Sequence, residues 1–257
     1  MRSLELTDYI AVVSDFDDTI LDNKAAIPGQ GLHQRSRLDA IRAVGKAWNL
    51  EALSSLPSHM SAVAFQNAPI HSAEGAFHWL LLQQGVIRKE EFNPQHPLIQ
   101  ALVAAKASSY RALLATEAQE VRGARNFFRT LHEDGFKDKL AIASTGQRAD
   151  ILEFLKTHGF GDYFSPEHIY ASEDTKRPKP DPESFRLAIG SLGIQLSEAP
   201  RVLAFEDDPR GIEAAKALGM FVCAVTTRFN EDSLMNLPTP PDIVAADFSE
   251  YAKVFGL

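Results

Sequence analysis

The chain has a single cysteine, Cys223, so no intrachain disulfide can staple it. Cys223 lies within the apolar run FVCAV (221–225), where a buried structural thiol is expected. Long apolar stretches are also missing. Runs such as FVCAV and WLLL (79–82) fall far short of the roughly 20 residues that cross a bilayer, so no membrane association is expected. The opening segment MRSLELTDYIAVVSDFDD meets acidic residues early and lacks a long apolar region followed by small residues, so no secretory leader is expected. Basic charge is scarce relative to acid. Lys and Arg number 26 against 34 Asp and Glu, a net charge of −8 that argues against a nucleic-acid surface. An anionic ligand must then be held by a local positive group and not drawn in by the overall field. Internal repeats, low-complexity tracts and glycine-serine linkers are absent. The 257 residues, 45% hydrophobic and 23% charged, have the balance of a folded chain. These features together predict a cytoplasmic globular protein.

What is present is a rhythm. Six short apolar runs recur: IAVV (10–13), LAIA (140–143), HIYA (168–171), RVLAF (201–205), FVCAV (221–225) and DIVAA (242–246). They are near-continuously apolar, as strands buried on both faces of a parallel sheet must be. Helical patterns at 123–134, 147–158, 182–192 and 209–218 separate them, which predicts an α/β doubly wound, Rossmann-like sheet. The rhythm breaks after the first run. Residues 23–121 contain no convincing strand and offer helices at 36–48, near 72–84 and at 97–119. The spacing predicts a core built from 1–22 and 122–257, with a helical subdomain inserted at 23–121. The junctions, near 23–31 and 119–123, read as short hinges.

In open parallel sheets, ligands bind beyond the carboxyl ends of the strands. Four of those ends carry reactive clusters here: SDFDDT, STGQ, EDDPRG and, after the third run, EDTKRPKPDP. Asp15 and Asp17 are two residues apart on extended backbone, so the pleat directs both to one side. Converging carboxylates repel unless a cation or proton is shared. With Glu206 and Asp207 added, the site implies a divalent cation, and all-oxygen ligands favour Mg²⁺ over a thiophilic metal. Glu173 and Asp174 read as a solvated loop. His33, His59, His71 and His78 in the insertion read as ordinary surface or core histidines. Arg35 and Arg37, just beyond the first junction, are candidate phosphate or carboxylate ligands.

These residues carry a resemblance. DxDxT after a first hydrophobic strand resembles motif I of the haloacid dehalogenase-like hydrolase superfamily. Ser144 after LAIA resembles motif II, Lys179 in KPDPE motif III, and VLAFEDDPRGIEAAKALGM (202–220) motif IV, all in the family order. The insertion between motifs I and II matches the position of the family's α-helical cap. The resemblance implies Asp15 as the nucleophile forming an aspartyl-phosphate and Asp17 as the acid and base. It implies Mg²⁺ held by Asp15, the Asp17 backbone carbonyl and Asp207, with Glu206 beside it as a direct or indirect ligand. Ser144 and the Thr145 N–H would bind phosphoryl oxygens, and Lys179 would neutralise phosphoryl group and nucleophile together. Asp18 stands where many relatives have glycine and is expected to point away from phosphate.

The function so implied is a Mg²⁺-dependent phosphatase of a small phosphorylated metabolite. A phosphosugar mutase using the same aspartate is the alternative, and a non-catalytic binding protein on this scaffold is a second. The basic run leaves two registers for motif III, one centred on Arg177 and one on Lys179. Lys179 is preferred because a compact ammonium fits between nucleophile and phosphoryl oxygen. Neither substrate identity nor oligomeric state follows from the sequence.

Overall fold

The computed structural model describes residues 5–24, 31–70, 72–88 and 92–257. Eight strands form among them. In chain order they are β1 (Ala11–Ser14), β2 (Leu21–Asp22), β3 (Gln119–Glu120), β4 (Leu140–Ala143), β5 (Ile169–Tyr170), β6 (Val202–Glu206), β7 (Phe221–Val225) and β8 (Ile243–Ala245). The six apolar runs supply one six-stranded sheet in the order β5-β4-β1-β6-β7-β8, with every adjacent pair parallel. The order reverses about β1, whose neighbours are β4 on one side and β6 on the other. The crevice for a ligand is therefore expected at the carboxyl ends of these three strands.

Both faces of the sheet are covered, which is why its strands carry no polar alternation. In β6, Val202 and Ala204 join Val13, Ala141, Phe185, Ile189 and Ile212 in one core layer. That layer lies under α8 (Glu183–Ser191) and α9 (Pro209–Ala217). Phe205 points the other way. It meets Phe127 of α6 (Ala124–Leu131) and Phe248 and Tyr251 of α11 (Phe248–Phe255) at ring-centroid distances of 5.3, 5.2 and 5.2 Å. Such pairs add about 0.5–1.5 kcal/mol beyond area burial. Phe16, just past β1, packs edge-on to Phe154 of α7 (Arg148–Thr157). The short α10 (Glu231–Met235) follows β7.

The chain divides into two compact units: Asn23–Ala118 forms one, and the flanking segments form the other. The first contains α1 (Leu32–Ala47), α2 (Glu51–Ser54), α3 (Met60–Asn67), α4 (Ala73–Gln83) and α5 (Pro97–Glu117). Ile41, Val44, Leu53, Phe77, Leu80 and Leu102 are among its buried residues. Arg35 of α1 holds Glu117 of α5 in a two-bond fork, at 2.5 and 2.7 Å.

Several boundaries differ from the sequence reading. α1 begins four residues before the expected 36, because a backbone bond from Leu32 N–H to Asn23 C=O at 2.8 Å steadies its entry. A strand was not expected at either junction, yet β2 and β3 pair antiparallel, Leu21 with Glu120 and Asp22 with Gln119. Two-residue strands are too short to show a periodicity. The middle of the expected first hinge, residues 25–30, and His71 lie outside the described residues. His33 stacks on the Tyr110 ring at 4.3 Å, His78 meets Phe92 edge-on and His59 is exposed. No helix among the described residues is long and apolar enough to cross a membrane.

Candidate active site

Three strand ends and one loop build the site. β1 delivers Asp15 and Asp17, β4 delivers Ser144, and β6 delivers Glu206 and Asp207, while Lys179 comes from the segment between β5 and α8. Asp15 is held by its own backbone: its N–H donates to Phe205 C=O on β6 at 2.9 Å, and Ser14 Oγ donates to its carbonyl at 2.7 Å.

Lys179 is the hub. Its Nζ lies 2.5 Å from Asp15 Oδ1 and 2.5 Å from Glu206 Oε1, with all three side chains buried. The other oxygen of Glu206 accepts from the N–H groups of Asp207 at 3.0 Å and Asp208 at 3.2 Å. Glu206 is thereby fully engaged at the start of α9. Asp207 is not. Thr19 Oγ1 donates to its Oδ1 at 3.3 Å, but its Oδ2 is buried with no hydrogen-bond partner.

The charge balance explains what this arrangement can take. Burial pushes the Asp15 carboxyl well up, with Glu206 and Asp17 adding to the effect against the pull of Lys179. Burial pushes Asp207 up as well, reinforced by Glu206, Asp15 and Asp18 and opposed by Arg228. For Lys179, burial works toward losing the proton, but Asp15 and Glu206 outweigh it and keep the group an ammonium. One buried ammonium, with the half-exposed Arg228 at 3.7 Å from Asp207, faces three buried acids. Carboxylate oxygens of Asp15, Glu206 and Asp207 lie within 4.8 Å of one another and could hold a metal ion. The orphaned Asp207 Oδ2 and the all-oxygen donors fit a hard divalent cation such as Mg²⁺.

The Asp17 carboxylate stands apart from this group, so three and not four carboxylates converge. It leans toward the loop after β4. A Cβ placed on Gly146 would sit 3.0 Å from Asp17 Oδ2 and 3.2 Å from Ser144 Oγ, so both side chains border the space this glycine leaves open. Ser144 Oγ accepts from Gly146 N–H at 2.9 Å, and Thr145 is exposed on the same turn before α7.

Geometry separates the two candidates of the basic run. Arg177 is exposed and pairs with Asp181 at 3.1 Å, whereas Lys179 reaches Asp15. The backbone N–H groups of Lys176 and Arg177 both donate to Glu183 at 2.9 Å, which fixes the run at the start of α8. Asp18 has φ 59°, a left-handed conformation that explains why glycine suits the position and that aspartate tolerates. Its carboxylate lies 3.7 Å from Arg228. Glu173 and Asp174 are exposed, yet they are more than solvated loop: Glu173 accepts from Arg148 N–H at the head of α7, and Asp174 pairs with the Arg148 guanidinium at 2.6 Å.

One residue of the site escaped the sequence reading, and one was named without its role. Arg228 lies past the end of β7, 3.7 Å from Asp207 and 3.0 Å from Asp208. Its signal was available, since it is a lone arginine following a buried strand on the ligand edge. Gly211 had none. A Cβ there would fall 1.8 Å from Glu206 Oε1, so the first turn of α9 must lack a side chain for Glu206 to reach Lys179. Gly211→Ala is expected to destabilise the fold by about 1–3 kcal/mol despite alanine's better helix propensity. Urea denaturation checks this, and an unchanged or higher midpoint would contradict the close packing.

A parallel α/β core with a helical unit inserted after its first strand, and acids gathered around one lysine at the switch point, defines a hydrolase-like class of protein. A model of the haloacid dehalogenase-like hydrolase family matches residues 9–219, and the chain belongs to that family. Fructose-1-phosphate phosphatase YqaB of Escherichia coli is 24% identical, over 82% of this chain and 94% of its own. Glycerol-1-phosphate phosphohydrolase 1 of Saccharomyces cerevisiae is 32% identical over 38% of this chain, and validoxylamine A 7'-phosphate phosphatase of Streptomyces hygroscopicus is 29% identical over 57%. The matches span only 40% and 64% of those two relatives' own lengths. Among solved structures, a family IA hydrolase from Entamoeba histolytica superposes with a TM-score of 0.71 at 17% identity, over 96% of this chain and 97% of its own, a likeness of fold.

Proposed function

We propose that this chain is a Mg²⁺-dependent phosphatase that hydrolyses a small phosphate monoester through a phosphoryl group carried on Asp15. The observation that carries the reading is the buried Lys179 ammonium between Asp15 and Glu206, beside an Asp207 oxygen with no hydrogen-bond partner. With its backbone bonded to Phe205 and Ser14 and its carboxylate held by Lys179, Asp15 would attack phosphorus from a fixed position. Asp17, across from Ser144, would protonate the leaving oxygen and then take a proton from the attacking water. Lys179 stabilises charge on the transferring group, and Ser144 with the Thr145 N–H binds its oxygens. Asp15, the Asp17 carbonyl and Asp207 would hold Mg²⁺, with Glu206 reaching it directly or through water. Bound there, the ion supplies the positive charge that lets an anionic carboxylate approach an anionic phosphate. Support for the substrate class comes from the relatives named as phosphatases of fructose 1-phosphate, glycerol 1-phosphate and validoxylamine A 7'-phosphate.

Phosphate release from an aryl phosphate tests the reading. EDTA is expected to abolish turnover and excess Mg²⁺ to restore it. Full activity in EDTA would contradict the assignment of Asp15 and Asp207 to a cation.

A further inference from the structure

α1 carries two arginines with opposite circumstances. Arg35, the more accessible of the two, has a carboxylate partner in Glu117. Arg37 is 7% exposed, its Nε is buried with no hydrogen-bond partner, and no carboxylate among the described residues offsets its charge. Burial alone pulls its guanidinium down to about 10. Asp39, on the same helix, accepts from Ser109 at 2.9 Å. The contact Arg37 does have is the face of Phe65, 4.6 Å from ring centroid to guanidinium carbon.

A buried cation without an anion opposes folding. Removing a guanidinium from water costs several kcal/mol, and stacking on one aromatic ring returns about 1–2 of them. An apolar side chain of similar length would serve packing better. The stacking does have one consequence of use: it fixes the plane of the guanidinium and leaves its N–H edge as the donor side. Such an edge matches the paired oxygens of a carboxylate or a phosphate.

We infer that Arg37 is the anion-binding residue of the helical unit, taking the carboxylate or phosphate of a small molecule on its guanidinium edge. This goes beyond the phosphatase reading and does not depend on it. The test is therefore run with EDTA present, where the proposed phosphoryl chemistry is silent. Malonate and inorganic phosphate are titrated separately into the full chain, into Arg37→Met and into Arg37→Lys, by calorimetry and by thermal melting. Lys179→Ala, titrated alongside, identifies any binding that belongs to the acidic site.

At least one of the two anions is expected to bind and stabilise the unaltered chain and Lys179→Ala. Response to malonate alone assigns a carboxylate ligand, and response to phosphate alone a phosphoryl ligand. Arg37→Met should lose that binding by about tenfold or more and should melt higher than the unaltered chain in anion-free buffer. Arg37→Lys, which keeps the charge but not the fork, should bind more weakly than the unaltered chain. The inference is overturned if neither anion binds the unaltered chain, or if Arg37→Met binds as well as the unaltered chain. It is also overturned if Arg37→Met melts lower while keeping its anion response, since Arg37 would then be a packing residue.

Discussion

Asp15→Asn is expected to lose at least about 10³-fold in kcat with any phosphate monoester, good or poor leaving group. The substitution keeps the shape of the side chain and its backbone contacts to Phe205 and Ser14. What it removes is the anionic oxygen that, on the proposed mechanism, would attack phosphorus. It also removes one of two negative charges on Lys179, leaving the ammonium with Glu206. The fold should therefore survive, and circular dichroism and a denaturation midpoint near that of the unaltered chain would confirm that the loss is chemical. A variant that retains a tenth of the activity would remove Asp15 from the nucleophile's role.

Lys179→Ala is expected to fail in two separable ways. As a catalyst it should lose at least a hundredfold in kcat/KM, on the order of 3 kcal/mol of transition-state stabilisation. As a folded protein it should lose stability too, because Asp15 and Glu206 are left buried without their cation. Breaking a buried pair in this way typically costs about 3–5 kcal/mol. Arg177→Ala and Lys176→Ala touch neither carboxylate and should change kcat/KM by less than about threefold. Steady-state kinetics of the three variants at a temperature where each is folded decide the matter. A crippled Arg177→Ala beside a mild Lys179→Ala would reverse the assignment.

The core was legible because burial on both faces of a sheet forces an apolar run, and a run of four or five such residues cannot be hidden. All six strands of the parallel sheet fall on the six runs. Lys179 was legible because a lysine set between Pro178 and Pro180 at a strand-end loop is an unusual commitment of backbone. The other features of the site depend on contacts far apart in sequence. Nothing near Gly211 announces that its missing Cβ makes room for Glu206, and nothing near Thr19 announces its bond to Asp207, 188 residues away. The pleat argument directed Asp15 and Asp17 to one side on the assumption that extended backbone continues through 17. The Asp17 carboxylate instead borders the space at Gly146, and the acidic cluster is Asp15, Glu206 and Asp207. In the helical unit, periodicity marked α4 and α5 well, while the short α2 and α3 gave too few turns to register.

The central claim is that phosphate passes through a covalent bond to Asp15. Asp17→Asn with an aryl phosphate tests it most directly, because a good leaving group needs little acid catalysis and the variant lacks the base for the second step. Acid quenching during turnover in Mg²⁺, followed by mass spectrometry of the digested protein, is expected to find one phosphoryl group on the peptide that contains Asp15. It should be absent from Asp15→Asn treated alike. Phosphate release by the Asp15→Asn variant at a tenth or more of the unaltered rate, or a phosphoryl group trapped on any other residue, would contradict the account.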